Sequence, residues 1–429
     1  MPYATIAVME RLIITGAKAL AGEVAIQGSK NTILPLIAAS LLTKEPVVLE
    51  NVPDIKDGEL MCTLAEKLGA AVAWDRSAHR LEIRARDLAG ARLEARMSRK
   101  LRGSILFSGV LLGRLRHAEL PYPGGDAIGA RPLGTHLRAL EALGVKINED
   151  GDTITMDGRG LRGGETTLEE PSVTATENTI LAAVLAPGKT VIRLAAFEPH
   201  LQELVRFLTK MGAKIAWGDQ LSLEIHGVKR LRGAIHRVNP DELEVSSFAA
   251  LAAATRSEIT LTDIEPSYLD AVLLQLRKMG VSFLTRGRRL KVLKTRRPYQ
   301  SFRVQSGLYP KLGSDHLPPF AVLATQAEGQ SLIHDWLYEK RFSYIPELQK
   351  MGAHCRMLDP HRVLITGPTE LAGTDIAGPD IRAGMTLVIA GLVASGKTTI
   401  SGVGHLDRGY ERLEERLQAI GADIQRVRS

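Results

Sequence analysis

Six short polar stretches stand just before, or at the start of, nearly all-apolar segments, and three of them carry a cation. The cations are Lys30, Arg102 and Arg382. The N-terminus of a helix presents unpaired N–H groups and a partial positive charge, so it binds anions. Ser and Asp in these stretches are explained by helix capping, but capping does not explain the cations. If several of these ends converge on one cleft together with the cations, they predict a strong site for phosphates and carboxylates. The stretches are Ser29–Asn31, Arg102–Ser104, Ser172–Asn178, Asp241–Ser247, Ser314–His316 and Asp380–Arg382.

The segment Gly391–Thr398, GLVASGKT, fits the phosphate-loop formula G-x-x-x-x-G-K-[ST]. That formula binds nucleotide phosphates only when a strand precedes the loop and a helix follows it. Here an apolar helix is predicted before the loop and the strand Thr398–Ser401 after it. The corresponding turns Ala186–Thr190 and Ala327–Ser331 indicate an ordinary helix-to-strand turn, so we do not expect nucleoside triphosphate binding there.

The elements that position these residues are indicated by a phrase that recurs six times, about 70 residues apart. It reads Leu-x-x-(Leu/Met/Ile)-Gly-(Ala/Val), with Ala65 replacing the first Leu in the first copy, and its glycines lie at 69, 144, 212, 280, 352 and 421. Each copy is typical of an amphipathic helix that ends at Gly and is followed by a strand. Such a period predicts a repeat architecture.

Each repeat also contains a nearly all-apolar helix upstream of its phrase. Such a helix is buried on every side, whereas the amphipathic helices that carry the phrase face solvent. Strand-like pieces such as Pro46–Glu50, Lys189–Arg193 and Ser257–Leu261 lie between them. The sequence therefore predicts an α/β protein of six repeats, each with two helices and about four strands, in two groups of three. The predicted buried helices are Thr32–Leu42, Ser104–Leu112, Asn178–Leu185, Ser247–Ala254, Pro319–Ala324 and Met385–Ala394.

Composition limits the class of protein. A chain of 429 residues, 45% of them hydrophobic, predicts two globular domains of about 200 residues. Cys62 and Cys355 have no metal-ligand neighbours at a spacing that would build a metal site, so we interpret both as small core residues in a reducing cytoplasm. The net charge of +7 favours acidic partners, including small polyanionic substrates. The basic run 286–297 lacks interleaved aromatic residues, and we interpret it as a hairpin with one solvated face.

The N-terminal stretch, Met1 to Ile13, contains no long apolar run. We therefore expect neither a signal peptide nor a transmembrane helix. Met9 is an alternative start, because the residues before it carry no pattern. These features together predict a cytoplasmic protein.

Four motifs resemble those of the UDP-N-acetylglucosamine enolpyruvyl transferases, in the order of that family. They are Gly28–Asn31 (GSKN), Pro121–Pro132 (PYPGGDAIGARP), Tyr338–Phe342 (YEKRF) and His405–Arg412 (HLDRGYER). The similarity runs from about Met9 to the last residues. The resemblance implies an inside-out α/β barrel of two pseudo-threefold domains, with helices in the middle and sheets outside. It also implies one domain of residues 30–239 and another of residues 1–29 and 240–429, with the active site in the cleft between them.

The resemblance implies transfer of enolpyruvyl from phosphoenolpyruvate to the 3′-hydroxyl of UDP-N-acetylglucosamine with release of phosphate, the first committed step of peptidoglycan synthesis. The reaction needs a base for the hydroxyl, an acid that protonates C3 of the enol, and cations around a phosphate and a carboxylate. Asp315 matches the family's proposed base, and Asp126 stands at the position of its acid. No metal or organic cofactor is implied, and no His, Cys and carboxylate cluster suggests one.

The resemblance also implies which residues bind the substrates. Lys30, Arg131 and Arg408 match residues that bind the phosphate of phosphoenolpyruvate, and we count Lys30 and Arg408 among the catalytic residues. Arg341 and Arg382 match residues on its carboxylate. Guanidinium groups suit both anions because they form paired hydrogen bonds. Contacts to the nucleotide sugar are implied for Asn31, Arg102, Ser172 and Val173, and further substrate-binding positions are Pro132, Leu133, Gly134, Thr135, Leu337 and Asp380.

The chain departs from the family pattern in its Gly-Gly-Asp126 loop. Most family members carry Cys at this position, and the minority with Asp are expected to turn over without the covalent adduct that the thiol forms. An Asp acts as an acid only when it is protonated. Because fosfomycin alkylates the thiol at this position, we expect this protein to resist fosfomycin.

Three other departures fall in the acceptor half of the site. The family usually shows Pro-Thr-Asp-x-Gln around the base, where this chain has Leu312–Pro319 (LGSDHLPP). Gly134 stands where an Asp near the uracil is common, and Thr174 replaces a usual Gly beside the diphosphate. Alternative functions therefore stay open: transfer to another acceptor, such as a different uridine nucleotide or shikimate 3-phosphate, or a non-catalytic paralogue that binds the nucleotide sugar.

Two histidines lie close to the motifs. We interpret His136 and His405 as structural or hydrogen-bonding residues and not as acids or bases. The partners that we expect are the two small-molecule substrates, with no nucleic acid or membrane, and we expect a monomer. The cations fall at scattered motif positions and not in the single patch that nucleic-acid binding requires.

Overall fold

A computed structural model describes residues 10–428 of the chain. The alternative start at Met9 lies outside the described residues. The described chain contains helices and strands that alternate along the sequence, and it divides into two compact units. The first unit contains the chain up to Gln27, Ala127–Ala130 and the chain from Pro240 onward, and the second contains Gly28–Asp126 and Arg131–Asn239.

The helices are of two kinds, buried and amphipathic. In chain order they are α1 (Lys30–Ser40), α2 (Lys56–Lys67), α3 (Ala95–Ser98), α4 (Leu106–Leu115), α5 (Gly134–Ala142), α6 (Val173–Ala183), α7 (Pro199–Lys210), α8 (Glu242–Ala254), α9 (Asp270–Lys278), α10 (Leu317–Thr325), α11 (Ile345–Lys350), α12 (Ile381–Val393) and α13 (Leu413–Ala419). Short 3-10 turns cover Arg102–Ile105, Pro266–Tyr268, Ser314–His316 and Val403–Arg408.

The six predicted buried helices are confirmed as α1, α4, α6, α8, α10 and α12. Nearly all of their residues are buried. Five begin earlier than predicted, as α8 does at Glu242 and not at Ser247, because the polar residues before the apolar run belong to the first helical turns. In the second unit α4 contacts both α1 and α6, and in the first unit α8, α10 and α12 contact one another.

The amphipathic helices α2, α5, α7, α9, α11 and α13 carry the repeated phrase, one in each repeat. In α7, Leu204, Phe207 and Leu208 are buried while Arg206 and Lys210 are exposed. The phrase glycine follows each helix with a φ between 81° and 99°. Only glycine adopts this left-handed conformation without strain, which is why the phrase recurs with Gly at its end.

The strands form six sheets, three in each unit, within the described part of the chain. In chain order they are β1 (Glu10–Thr15), β2 (Ala21–Ala25), β3 (Val47–Glu50), β4 (Ala71–Asp75), β5 (Arg80–Arg84), β6 (His117–Pro121), β7 (Lys146–Asp150), β8 (Thr153–Asp157), β9 (Glu165–Thr167), β10 (Lys189–Arg193), β11 (Lys214–Trp217), β12 (Leu223–His226), β13 (Ile235–Arg237), β14 (Glu258–Thr262), β15 (Phe283–Arg286), β16 (Arg289–Val292), β17 (Tyr299–Gln300), β18 (Arg303–Gln305), β19 (Ala327–His334), β20 (His354–Asp359), β21 (Arg362–Gly367), β22 (Asp375–Ala377), β23 (Lys397–Ser401) and β24 (Asp423–Arg428).

Each sheet covers the helices of its own unit with one face. The first unit has the strand orders β22-β23-β1-β24, β15-β16-β14-β2 and β17-β19-β21-β20, with β18 beside β19. The second has β13-β3-β5-β4, β6-β8-β7 and β11-β12-β10-β9. Burial alternates along strands such as β5, where Leu81 and Ile83 are buried and Arg80 and Arg84 are exposed. Alternation of this kind places the helices inside and the sheets outside in each unit.

Two turn predictions are confirmed. The segment Gly391–Thr398 joins the end of α12 to β23, which is the helix-to-strand order that argues against a phosphate loop. In the basic run, β16 pairs antiparallel with β15 around Gly287, so the run belongs to a hairpin. Its residues Arg286, Arg288 and Arg289 are exposed to solvent.

The interpretation of the cysteines is correct for one residue and wrong in part for the other. Cys62 is buried in the core of the second unit. Cys355 is only partly buried, because its strand β20 lies at the edge of a sheet. Both thiols are free. None of the helices in residues 10–428 has the length and apolar character that crossing a membrane requires.

Candidate active site

Three of the predicted residues meet in the first unit. Asp315 lies in the 3-10 turn Ser314–His316 before α10, and Arg382 lies in the first turn of α12. Nε of Arg382 donates to Oδ2 of Asp315 at 3.2 Å, and Nη2 of Arg341 donates to Oδ1. Both guanidinium groups are buried, whereas the side chain of Asp315 is 32% exposed. The Asp315 carboxylate therefore bridges two buried arginines and remains accessible.

A buried acid that the sequence analysis missed fixes Arg341. Nε of Arg341 donates to Oγ of Ser314 at 3.1 Å, and that hydroxyl donates to Oδ2 of Asp335. Asp335 is fully buried, and its Oδ1 accepts the backbone N–H groups of Leu337 at 2.8 Å and Tyr338 at 3.1 Å. Asp335 precedes the Tyr338–Phe342 motif, so it anchors the start of that motif. Only its closeness to the motif could have drawn attention to it.

The start of α12 is fixed by Asp380, a predicted substrate-binding residue. Oδ1 of Asp380 accepts the backbone N–H groups of Arg382 at 2.9 Å and Ala383 at 3.0 Å, which is an N-cap. Its Oδ2 accepts the hydroxyl of Ser343 at 3.1 Å. This arrangement joins α12 to the segment that carries Arg341, so the structure positions both arginines together.

Tyr410 is the other partner of Arg382. Nη1 of Arg382 donates to the Tyr410 hydroxyl at 3.2 Å, and that hydroxyl lies 3.0 Å from Oγ of Ser247 on α8. Burial opposes the charge of Arg382, but the neighbouring Tyr410, Asp315 and Asp241 outweigh it and raise the pKa of Arg382. Arg382 therefore stays cationic. Arg408, two residues before Tyr410, ends the 3-10 turn Val403–Arg408 and is partly buried.

Two histidines of the first unit lie in the turns that carry Asp315 and Arg408. Nδ1 of His316 lies 2.9 Å from Oγ of Ser246, and burial lowers the pKa of His316 to about 4. His316 is therefore neutral near neutral pH, and it fixes α10 to α8. His405 lies in the same turn as Arg408 and is partly buried.

In the second unit, two arginines bind the backbone of the Pro121–Pro132 motif. Nη2 of Arg102 donates to the carbonyl oxygen of Arg131 at 2.5 Å and to that of Pro132 at 3.4 Å. Nη2 of Arg131 donates to the carbonyl oxygen of Asp126 at 2.6 Å. The structure thus links Asp126, Arg131 and Arg102 in one chain of contacts, whereas the resemblance implied a catalytic acid for Asp126 and substrate contacts for Arg131 and Arg102.

The paired glycines before Asp126 follow from close backbone contact. A Cβ atom on Gly124 would lie 1.6 Å from the carbonyl oxygen of Arg99, and Gly125 has a φ of 117°. Neither position accepts a side chain without strain.

The residues that follow Asp126, Ala127–Ala130, belong to the first unit. The backbone N–H of Ala130 donates to Oε1 of Glu339 at 2.7 Å, and this hydrogen bond lowers the pKa of Glu339.

Lys30 and Asn31 open helix α1, as the sequence indicated. Ser29 caps the helix, and its Oγ accepts the N–H of Thr32 at 3.4 Å. Nζ of Lys30 lies 3.1 Å from Oδ2 of Asp57, a buried acid on α2. Sequence reasoning missed Asp57, because it lies in an amphipathic helix outside the motifs. The helix α2 also contacts the turn Arg102–Ile105, so the structure places Lys30 and Arg102 in neighbouring elements.

The predicted nucleotide-sugar residues Ser172 and Val173 open helix α6. Oγ of Ser172 accepts the N–H of Ala175 at 3.4 Å, so Ser172 is an N-cap. Oγ1 of Thr174 lies 3.1 Å from Nε2 of His136. Burial, with the charge of Arg102 as the smaller cause, lowers the pKa of His136 to about 3. His136 is therefore neutral and joins α6 to α5.

The remaining predicted residues differ in exposure. Leu133 and Thr135 are buried, with Gly134 between them at the start of α5. Leu337 is exposed by 38%. Within residues 10–428 no three His, Cys, Asp or Glu side chains are placed to hold a metal ion. The arrangement presents cations for anionic groups in both units, and in the first unit it adds a carboxylate that can accept a proton.

Comparison with known proteins places this arrangement in a class. Residues 14–417 match the model of the EPSP synthase (3-phosphoshikimate 1-carboxyvinyltransferase) family. The crystal structure of the enolpyruvyl transferase NikO from Streptomyces tendae superposes with a TM-score of 0.90 and 23% identity, covering 98% of this chain and 100% of that chain. EPSP synthase from Acinetobacter baumannii superposes with a TM-score of 0.77 and 19% identity over 98% of this chain. The chain has the enolpyruvyl transferase fold, so the predicted inside-out α/β barrel is confirmed.

Two relatives narrow the class. The UDP-N-acetylglucosamine 1-carboxyvinyltransferase of Treponema denticola is 40% identical over 426 residues, covering 97% of this chain and 99% of the relative. That of Bradyrhizobium diazoefficiens is 41% identical over 426 residues, covering 97% of both. The chain belongs to the UDP-N-acetylglucosamine 1-carboxyvinyltransferase family, as its four motifs predicted, and it is a transferase.

Proposed function

We propose that this protein transfers the enolpyruvyl group of phosphoenolpyruvate to the 3′-hydroxyl of UDP-N-acetylglucosamine and releases inorganic phosphate, the first committed step of peptidoglycan synthesis. The observation that carries the proposal is the full-length similarity to UDP-N-acetylglucosamine 1-carboxyvinyltransferases, at about 40% identity. The partly exposed carboxylate of Asp315 on two buried arginines supports it, because the reaction needs both a base and a carboxylate site.

In the proposed addition step, the 3′-hydroxyl loses its proton to Asp315 while its oxygen bonds to C2 of the enol. Asp126 delivers a proton to C3, which becomes a methyl group. In the elimination step the methyl group returns a proton to Asp126, the double bond forms again, and the C2–O bond to phosphate breaks. The leaving phosphate takes up the proton that Asp315 removed from the hydroxyl, so both carboxyl groups end in their starting states.

The cations stabilise the charge that develops on the substrate. We assign the carboxylate of phosphoenolpyruvate to Arg341 and Arg382, and its phosphate to Lys30, Arg131 and Arg408. Arg341 and Arg382 are supported by their burial and by the carboxylate that they already bind, which is a geometric stand-in for the substrate group. Charge-assisted bonds from fixed donors stabilise the leaving phosphate without reorganisation. The reaction as proposed uses side chains alone, without a metal or organic cofactor.

We assign the nucleotide sugar to residues of the second unit. These residues begin helices or stand beside the motif loop, where backbone N–H groups are available to a diphosphate. Helices α1 and α6, which begin directly after Ser29 and Ser172, provide such N-terminal ends. The hydroxyl of Thr174 forms a hydrogen bond with His136, so its side chain points toward another residue of the protein. The assigned residues are Asn31, Arg102, Pro132, Leu133, Gly134, Thr135, Ser172 and Val173, with Leu337 and Asp380 contributed by the first unit.

The acceptor is tested by measuring phosphate release from phosphoenolpyruvate with each candidate acceptor. We expect release with UDP-N-acetylglucosamine and none with shikimate 3-phosphate or with UDP alone. Release with another acceptor only would overturn the assignment of the nucleotide sugar. Binding of UDP-N-acetylglucosamine without release of phosphate would instead indicate a non-catalytic paralogue.

We also propose that the protein works as a monomer in the cytoplasm on these two small substrates, without nucleic acid or membrane partners. The free thiols of Cys62 and Cys355 are consistent with a reducing compartment. Light scattering coupled to gel filtration tests the monomer directly. A mass twice that of the chain would contradict it.

A further inference from the structure

A buried carboxyl group lies within electrostatic reach of Arg382, and one of its two oxygens has no hydrogen-bond partner in the described structure. Glu242 is the first residue of α8, its exposure is 5%, and its Oε2 has no hydrogen-bond partner in the described structure. Glu244, two residues on, differs, because Arg416 Nη2 and Gln27 N–H each donate to its Oε2 at 2.9 Å. An ionised carboxylate that is buried with one oxygen unpartnered is costly. Burial therefore favours the protonated form of Glu242.

The charges around Glu242 come from three elements. Asp241 precedes it and accepts the N–H groups of Leu243 and Glu244 at 2.9 and 3.0 Å. Arg382 on α12 and Asp315 in the turn Ser314–His316 belong to elements that contact α8. Burial raises the pKa of Glu242 to about 8, Asp241 and Asp315 add to this, and Arg382 opposes it.

Other titratable groups packed against α8 keep their charge in this pH range. His316 bonds to Ser246, and burial lowers its pKa to about 4. Tyr410 lies against Ser247, and burial raises its pKa. The neighbouring strands β14 and β16 carry the exposed ion pair of Glu258 and Lys291. Glu242 is thus the group beside Arg382 whose charge changes just above neutral pH.

We propose that Glu242 is a proton-bearing positioning residue of the phosphoenolpyruvate site. As a neutral acid it leaves Arg382 available to the substrate carboxylate, and as an anion it competes with the substrate for the same guanidinium. Ionisation releases its proton to solvent and forms no other bond. The inference rests on the proposed function, because the substrate carboxylate is assigned to Arg382 there.

The test is the dissociation constant of phosphoenolpyruvate, measured by calorimetry from about pH 6 to pH 9.5, a range that spans the ionisation of Glu242. We expect the wild-type affinity to fall about tenfold or more across the alkaline half of this range, since a new anion opposes substrate binding. E242Q mimics the neutral acid, so its affinity for phosphoenolpyruvate should not decrease at alkaline pH. E244Q removes a neighbouring buried carboxyl group and should show the same alkaline decrease in affinity as the wild type.

The outcomes separate this inference from the proposed function. An alkaline fall of equal size in the wild type and in E242Q would overturn the role of Glu242 alone. Absence of phosphoenolpyruvate binding at every pH would overturn the proposed function, and the role of Glu242 with it. A flat wild-type profile with binding intact would overturn only the role of Glu242.

A second measurement needs no substrate. The infrared difference between the wild type and E242Q should contain the absorption of a protonated carboxyl group near neutral pH and should fade above about pH 8. The buried Glu177, whose pKa burial also raises, absorbs in both proteins and cancels in this difference. Absence of the difference near neutral pH would overturn the neutral state of Glu242. Thermal unfolding of E242Q checks that the variant is folded, and Gln should be tolerated because it has the shape of the neutral acid.

Discussion

Asp315 and Arg382 form an ion pair in which Nε of Arg382 lies 3.2 Å from Oδ2 of Asp315. The other oxygen of the same carboxylate accepts from Arg341. In the proposed function these arginines bind the carboxylate of phosphoenolpyruvate, so Asp315 fills their binding positions in the structure described. Substrate binding must then displace Asp315, and displacement frees the carboxylate that is to act as the base.

Replacing Asp315 by Asn should therefore separate turnover from binding. Loss of a general base should lower kcat by about 10²- to 10⁴-fold. The affinity for phosphoenolpyruvate should rise by about fivefold or more, because a charged competitor is removed. Steady-state kinetics and calorimetry measure the two effects. The control D359N removes a carboxylate from an exposed ion pair with Arg362 on a sheet edge and should change neither. Weaker substrate binding by D315N would contradict displacement.

Replacing Tyr410 by Phe should destabilise the protein. The change removes an acceptor from the buried Nη1 of Arg382 and a partner from the buried hydroxyl of Ser247. The expected cost is about 1–3 kcal/mol in the free energy of unfolding, measured by urea denaturation. Tyr344 is the matched control, because its buried hydroxyl has no hydrogen-bond partner in the described structure. Y344F should leave the free energy of unfolding unchanged. An equal decrease in Y410F and Y344F would contradict the role given to the Tyr410 hydroxyl.

His136 should make stability depend on pH in a defined direction. Its pKa is about 3 in the folded protein and about 6.5 in the unfolded chain, so only the unfolded chain takes up the proton between these values. Stability is fully present above about pH 6.5 and falls as the pH drops, by about 2 kcal/mol at pH 5. In denaturation experiments, the free energy of unfolding of H136Q should lack this decrease at acid pH. The matched variant His226→Gln, at an exposed position, should retain it. An unchanged slope in H136Q would show that His136 is not buried in its neutral form.

Fosfomycin tests the assignment of Asp126. The wild-type protein should keep its activity in the presence of fosfomycin, because a carboxyl group lacks the nucleophilicity of a thiolate. D126C should become sensitive and gain the mass of one inhibitor molecule, while D126N should gain none. Inactivation of the wild type by micromolar inhibitor would contradict the assignment.

The sequence predicts most of the architecture because its signals are local. The six phrase glycines each require a left-handed conformation after a helix, and the buried helices are apolar on every side. The cations Lys30, Arg102 and Arg382 stood out because a cap does not need them. Helix starts were less well predicted, since polar first-turn residues such as those of α8 are buried against other elements.

The sequence does not predict the partners of those cations. Asp57 and Asp335 lie outside every motif, and only folding brings them to Lys30 and to the residues around Arg341. Glu242 resembles an ordinary first-turn acid, and its unpartnered oxygen follows from burial and not from any local pattern. The contacts that could not be predicted from the sequence are therefore those between residues that lie far apart in the chain.

The central claim is tested most directly by identifying the product. The protein is incubated with phosphoenolpyruvate and UDP-N-acetylglucosamine, and the mixture is followed by proton and phosphorus nuclear magnetic resonance. The account predicts vinyl proton signals from an enolpyruvyl ether at the 3′-oxygen of the sugar, with one equivalent of inorganic phosphate, and neither signal with D315N. Unchanged substrates after prolonged incubation of the folded wild-type protein, or an ether at another hydroxyl, would contradict it.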